Sequence, residues 1–204
     1  INDIEDQIID EDTSLTLSIN VVNPSGEGYT LNFSSNESDI FLDYDIDNSE
    51  LYIEPLTNWF GSVIISYQTY NNTATDTGTG SFILDVLPIN DSPYLDSLLS
   101  PTLADTFSTH SDSDHDITFS WIGGDVDDEV VFTLTIELEF FGNTYTDIYE
   151  DITDTIYILP ASALDPLIGG LNLDESVLTW YIETADTQYT AISSIGEFVV
   201  TRQE

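Results

Sequence analysis

The chain of 204 residues has no cysteine, no lysine and a single basic residue, Arg202. Without cysteine it forms no disulfides and offers no thiolate ligands to a metal. The lack of lysine excludes Schiff bases and P-loops, and with only two histidines and no cysteine the sequence shows no nucleophile–base constellation. No run of apolar residues approaches the length of about 18 that a membrane-spanning helix needs. These absences favour a non-enzymatic protein that does not insert into a membrane.

Acidic residues dominate the charge, since 39 aspartates and glutamates give a formal net charge of −38. Such a surface repels nucleic acid and anionic lipid, which makes both poor partners. Apolar residues make up 41% of the chain, a normal share for a folded protein, so the acidity does not indicate disorder. Bound divalent cations, high salt or acidic pH would each relieve the repulsion among the carboxylates.

Runs that alternate apolar and polar residues recur along the chain at intervals of roughly ten residues, with Gly, Asn, Asp and Pro between them. From Leu15 to Val21 every second residue is apolar, as in a half-buried strand. Between residues 161 and 172 the leucine spacing is helical, but Pro166 and the following Gly-Gly pair limit any helix to a turn or two. The predicted fold is all-β, with two consecutive antiparallel β-sandwich domains at residues 1–91 and 92–204.

The first half resembles the tandem cadherin-like, immunoglobulin-like repeats of prokaryotic surface proteins. The stretches that carry the resemblance are IDEDTSLTLSI, NSELYIEPLTNWFGSVIISY, GSFILDV and PINDSP, over residues 1 to 93. The resemblance implies an extracellular or cell-surface, non-enzymatic module, often one that binds calcium. Two loops where such repeats carry acidic residues read NPSGEG (residues 23–28) and YQTYNN (residues 67–72) here. A strong metal site at the entry end of the first domain is therefore not expected.

The second half resembles fibronectin type III-like modules of bacterial surface and secreted proteins. The resemblance lies in ITFSWIGGDVDDEVVFTLTI and LTWYIETADTQYTAISSIGEFVV, and it covers about residues 94 to 202. It implies a second sandwich, with Trp121 on the second strand and Trp180 on the sixth.

Seven residues form a candidate calcium site at the interdomain linker. Calcium prefers carboxylate, amide and carbonyl oxygens, and strand direction in the two sandwiches should bring four sequence-distant segments together there. These are the segment before the second strand of the first domain, the linker, and the ends of the second and sixth strands of the second domain. The candidate ligands are Glu11, Asn90, Asp91, Asp125, Asp127, Asp128 and Asp186.

An alternative explanation needs no metal. Aspartate and asparagine favour turns, because they tolerate left-handed backbone and bond their own main chain. Each of these residues alone is explained as a solvated loop residue, and only their convergence favours calcium. A second acidic segment, with Asp112, Asp114 and Asp116, begins like an EF-hand loop but lacks its glycine, and Gly123 stands where the final glutamate belongs.

Three functions are compatible with these patterns. The first is an extracellular structural or adhesive module whose two sandwiches are rigidified by calcium at the linker. The second is a repeating subunit of a filament or surface layer, with neighbouring copies or other extracellular proteins as partners. The partial linker copy INDIED at residues 1–6 favours a chain that continues upstream or docks into a neighbour. The third is a carbohydrate-binding accessory module of a secreted enzyme, with a glycan on exposed coplanar aromatics among Phe140, Phe141, Tyr145 and Tyr149.

Overall fold

The computed structural model describes residues 3–21, 28–71, 77–109 and 115–202, and these form two compact units, Ile1–Ile89 and Asn90–Glu204. The strands of the first unit are β1 (Gln7–Asp10), β2 (Leu15–Ser18), β3 (Tyr29–Ser35), β4 (Ile40–Asp45), β5 (Glu50–Pro55), β6 (Gly61–Asn71) and β7 (Thr77–Leu87). The strands of the second unit are β8 (Tyr94–Ser100), β9 (Thr106–Ser108), β10 (Asp116–Gly124), β11 (Val131–Phe140), β12 (Asn143–Ile152), β13 (Ile156–Pro160), β14 (Glu175–Ala185), β15 (Thr190–Ile192) and β16 (Gly196–Thr201). Residues 23–27 of the NPSGEG loop, Asn2, and Asp112 and Asp114 of the EF-hand-like segment lie outside the described residues.

The first unit is a sandwich of two sheets with the strand orders β1–β7–β6–β3 and β2–β5–β4. Alternate residues of these strands point inward, as the period-2 pattern predicts. The pairing is antiparallel except at β1. This first strand pairs in parallel with the last strand, β7, and not with its neighbour in sequence, β2. The most deeply buried side chains of this core are Leu51, Ile53, Val63, Ile65 and Leu84.

The second unit packs the sheet β13–β10–β8 against the sheet β12–β11–β14–β16–β9. Its last strand is interrupted, since β15 and β16 both pair with β14 and residues 193–195 separate them. At the break, Ser193 Oγ accepts the Ile182 N–H at 2.9 Å, which keeps that backbone donor of β14 bonded. Strand β9 runs parallel to β16, the second exception to antiparallel pairing.

The core of the second unit is built around Trp180. Its ring contacts Phe119 edge-on at a centroid distance of 5.1 Å, and Phe119 contacts Phe198 in the same way at 5.6 Å. The Trp180 indole N–H donates to the Pro101 carbonyl at 3.2 Å, so its one polar group is bonded although the side chain is fully buried. Each unit therefore has its own apolar core, and the predicted all-β class with two consecutive β-sandwiches is confirmed.

A short helical segment interrupts the second unit between β13 and β14. It consists of a 3₁₀ helix at Ala161–Leu164 and a helix α1 at Asp165–Gly169, with Pro166 in its first turn. This is the turn or two that Pro166 and the glycine pair predict. No helix in the described ranges is long and apolar enough to cross a membrane.

The two units divide between Ile89 and Asn90, two residues before the predicted division after Asp91. The reason is visible in the hydrogen bonds of these residues. The Asn90 amide donates to Asp186 Oδ2 at 2.7 Å, and the Asp91 N–H donates to Asp127 Oδ2 at 2.8 Å. Both bonds tie the predicted linker residues to the second unit.

Candidate metal centre

The loop between β10 and β11 places Asp125, Asp127 and Asp128 beside the first residues of the second unit. Asp125 Oδ1 accepts the N–H groups of Asp127 at 2.9 Å and Asp128 at 3.2 Å. This turn, closed by its own aspartate, is the local structure that such a sequence favours. Asp125 Oδ2 is buried and accepts no hydrogen bond. A buried carboxylate oxygen without a partner is costly, so this atom is a candidate ligand for a cation.

Asp186 follows the last residue of β14 and is the most extensively bonded carboxylate of the group. Its Oδ1 accepts the N–H groups of Gln188 and Tyr189, both at 2.5 Å, and its Oδ2 accepts the Asn90 amide. Desolvation raises the pKa of Asp186, but the bonds from Tyr189, Asn90 and Gln188 outweigh it and hold the pKa below the ordinary value of 3.8. The carboxylate is therefore stabilised in its charged form.

We expect the substitution Asp186→Asn to have a pH-dependent effect on stability. Because the pKa is lower in the folded than in the unfolded state, the charged carboxylate stabilises the fold above the unfolded-state pKa. That contribution is lost as the pH falls through the folded-state pKa. The variant should therefore melt below the parent at neutral pH, and the gap should close in acid. Thermal melts of both proteins at a series of pH values measure this, and a gap independent of pH would rule out the charge as its cause.

Asn90 and Asp91 each donate a hydrogen bond to one of these carboxylates, Asn90 to Asp186 and Asp91 to Asp127. Besides its bond to Asp186, the Asn90 amide donates to the Asp91 carbonyl at 2.7 Å. The next N–H, that of Asp91, donates to Asp127, and both Asn90 and Asp91 are half-buried. The structure thus joins six of the predicted ligands through hydrogen bonds within the second unit. Asp128 takes part through its backbone N–H, and its side chain is exposed.

The seventh predicted ligand, Glu11, belongs to the first unit and is only 3% exposed. Its Oε1 accepts the Ile89 N–H at 2.6 Å, and its own N–H donates to the Leu87 carbonyl at 2.9 Å. Glu11 Oε2 is buried and has no hydrogen-bond partner. The sequence indicates Glu11 as a candidate ligand but carries no signal for its burial, because it lies among other acidic residues.

The carboxylates are not arranged as a ligand shell. Within the described ranges, no three Asp, Glu or His side chains stand close enough together to hold a metal ion. Instead, oxygens of Asp127 and Asp186 accept hydrogen bonds from backbone N–H groups. In the β10–β11 loop, Asp125 Oδ2 is buried and accepts no hydrogen bond. The predicted calcium site therefore stays a prediction.

The aromatic residues of the carbohydrate alternative lie on the β11–β12 hairpin. Phe141 is 90% exposed at its tip, and its ring stands at 69° to that of Phe140. Tyr149 packs against Tyr157 at 5.3 Å with the rings tilted by 41°. Burial, with further contributions from Asp147 and Tyr157, raises the pKa of Tyr149 to about 12. Neither ring pair is coplanar, so neither forms the flat platform on which that alternative depends.

Comparison with protein-family models and with curated proteins gives no match, so the predicted prokaryotic surface family also stays a prediction. Human protocadherin-24 repeats EC1–2 match 89% of this chain and 85% of their own, at 10% identity and a TM-score of 0.45. The fibronectin(III)-like modules of Clostridium thermocellum CbhA match 99% of this chain and 92% of their own, at 10% identity and a TM-score of 0.33. A SusE-like surface located polysaccharide binding protein from Bacteroides thetaiotaomicron matches 97% of this chain and 33% of its own, at 14% identity and a TM-score of 0.36. The fold assignment rests on the sheet topology described above.

Proposed function

We propose that the chain is a non-enzymatic structural or adhesive module of an extracellular or cell-surface protein, and that calcium binds at the carboxylates beside Asn90 and Asp91. The observation that carries the proposal is the buried, unbonded Oδ2 of Asp125, next to an Asp127 that already holds the Asp91 backbone. A bound cation would satisfy this oxygen and lower the repulsion among the neighbouring carboxylates. It would also fix the start of the second unit, which a load-bearing or spacing module requires.

The oxygens that would hold the ion come from the residues that the hydrogen bonds already join. Asp125 Oδ2 and the carboxylates of Asp127 and Asp91 are the first candidates, with the Asn90 amide oxygen and Asp186 beside them. Rotation of these side chains must turn several oxygens toward one point, because the present arrangement uses them as acceptors for N–H groups. Asp128 completes the predicted set within the second unit. Calcium accepts six to eight oxygens in flexible geometry, which suits such a loop-based group.

Calcium titration with matched variants tests this function. In isothermal titration at about 1 M sodium chloride, where the Debye length is about 3 Å, diffuse attraction to the net charge is screened and only a specific site gives saturable binding. We expect the double substitution Asp125→Asn, Asp127→Asn to weaken binding by about tenfold or more, since it removes two charged ligands.

The control for this titration is Asp154→Asn, which removes one carboxylate from an exposed turn of the same unit. It should bind calcium like the parent. Equal affinity in the parent and the double variant would refute the calcium site.

A further inference from the structure

The outer face of the larger sheet in the first unit carries no carboxylate over three successive rows of residues on β3, β6 and β7, among the residues that the structure describes. We call this surface the neutral face, and it consists of Asn32, Ser34, Ile64, Ser66, Gln68, Thr79, Ser81 and Ile83. The nearest acidic residues on the sheet are Asp6, which accepts the Ile83 N–H at 2.7 Å, and Asp85 beyond Ile83 on β7. Asp6 lies beside Ile83 at the β1 side of the neutral face, and Asp85 lies in the next row beyond the isoleucines.

Strand register gives the neutral face a ridge and a trough. Ile64 and Ile83 are directly opposite each other and form the ridge, although they remain 48% and 39% exposed. In the next outward row, Ser34, Ser66 and Ser81 lie side by side across the three strands. These serines line an open trough of about 450 Å³. Ridge and trough are about 7 Å apart, which is two residues along a strand.

We propose that the neutral face is a contact between two copies of this chain. A two-fold axis that lies in the interface, parallel to the two rows and midway between them, places the isoleucine ridge of each copy over the serine trough of the other. Such an isologous contact is self-complementary, as a two-fold interface must be. It buries the exposed side chains of Ile64 and Ile83 against small serine side chains.

Charge distribution favours a second copy as the occupant. Two chains that each carry a net charge of −38 repel over most of their surface, and opposed carboxylates across an interface are strongly unfavourable. The neutral face allows close approach without such opposition. The hydroxyl and amide groups at its centre can also exchange hydrogen bonds with the same groups of the other copy.

The size of the neutral face sets the strength of the contact. Three strands and three rows of side chains cover roughly 300 Å², well below the ~800 Å² per partner of a stable complex. The contact is therefore weak for isolated chains and gains strength where many copies are held side by side, since the second contact is then intramolecular. The proposal concerns the first unit alone and does not depend on the calcium site.

Sedimentation equilibrium of the whole chain, in chelator and at about 1 M salt, tests this contact. We expect reversible dimers as the concentration approaches about 1 mM. Ser66→Asp places two like charges in the interface and should weaken dimerisation by about tenfold or more. Ile64→Ser, which removes half of the ridge without adding charge, should weaken it as well. The control is Thr16→Asp, at an exposed position of β2 in the opposite sheet, and it should dimerise like the parent.

Three results would overturn the proposal. The first is a parent protein that stays monomeric at the highest concentration. This result would also overturn the proposal if the neutral face were found to bind a neutral polysaccharide instead. The second is undiminished dimerisation of Ser66→Asp and Ile64→Ser, with thermal melts showing that both variants are folded. The third is an equal loss of dimers in Thr16→Asp, which would make total charge rather than the neutral face responsible.

Discussion

Calcium added to the chelated protein should raise the melting temperature of the second unit by about 10 °C or more. At a calcium concentration about 100 times the dissociation constant, binding to the folded state alone adds about 2.7 kcal/mol. A domain of about 100 residues gains roughly 4–8 °C for each kcal/mol. The shift should appear in the second unit, because Asp125, Asp127 and Asp186 all belong to it. Differential scanning calorimetry with and without chelator measures it directly.

The control for this shift is monovalent salt, since the net charge of −38 makes any cation stabilising to some degree. If sodium chloride in the presence of chelator gives the full shift in melting temperature, the stabilisation comes from general screening of the negative charge and not from a specific calcium site. The double variant Asp125→Asn, Asp127→Asn should lose most of the calcium shift. Asp154→Asn should keep it, because its carboxylate lies on an exposed turn away from the candidate ligands in sequence.

Trp180→Ala should destabilise the second unit by about 3–5 kcal/mol and leave the melting of the first unit unchanged. The substitution removes a fully buried ring together with its edge contact to Phe119 and its hydrogen bond to Pro101. The cavity left among large apolar side chains accounts for the size of the loss. The first unit has its own core around Leu51 and Ile53, so its transition should persist.

Calorimetry in chelator measures this effect, with Ile195→Ala as the matched control. Ile195 belongs to the same unit but is largely exposed, so its loss should change stability by no more than about 0.5 kcal/mol. Simultaneous loss of both transitions in Trp180→Ala would contradict independent cores. A loss below about 1 kcal/mol would show that the second unit does not depend on Trp180 packing.

Local pattern predicts much of this fold. Alternation of apolar residues reports which side of a strand is buried, and it correctly indicates the inward positions of β2. The ends of strands are also readable, which is why Asp125 and Asp186 are expected directly after two strands of the second unit. The structure places Asp125 after Gly124 of β10 and Asp186 after Ala185 of β14.

Features that depend on long-range pairing could not be predicted in this way. The parallel pairing of β1 with β7 joins segments more than seventy residues apart, and no local signal marks it. The neutral face becomes visible only when Ser34, Ser66 and Ser81 are aligned by the registers of three strands. Burial of Glu11 is likewise invisible in sequence, because an acidic residue before a strand is ordinarily solvated.

The most direct test of the calcium proposal is the oxygen coordination in a structure of the protein crystallised with calcium. The proposal predicts an ion with six to eight oxygens at about 2.3–2.6 Å, among them carboxylate oxygens of Asp125 and Asp127. It also predicts that Asp125 Oδ2, now buried and without a hydrogen bond, is one of them. A structure with calcium bound only at other acidic loops, and with Asp125 Oδ2 still uncoordinated, would contradict it.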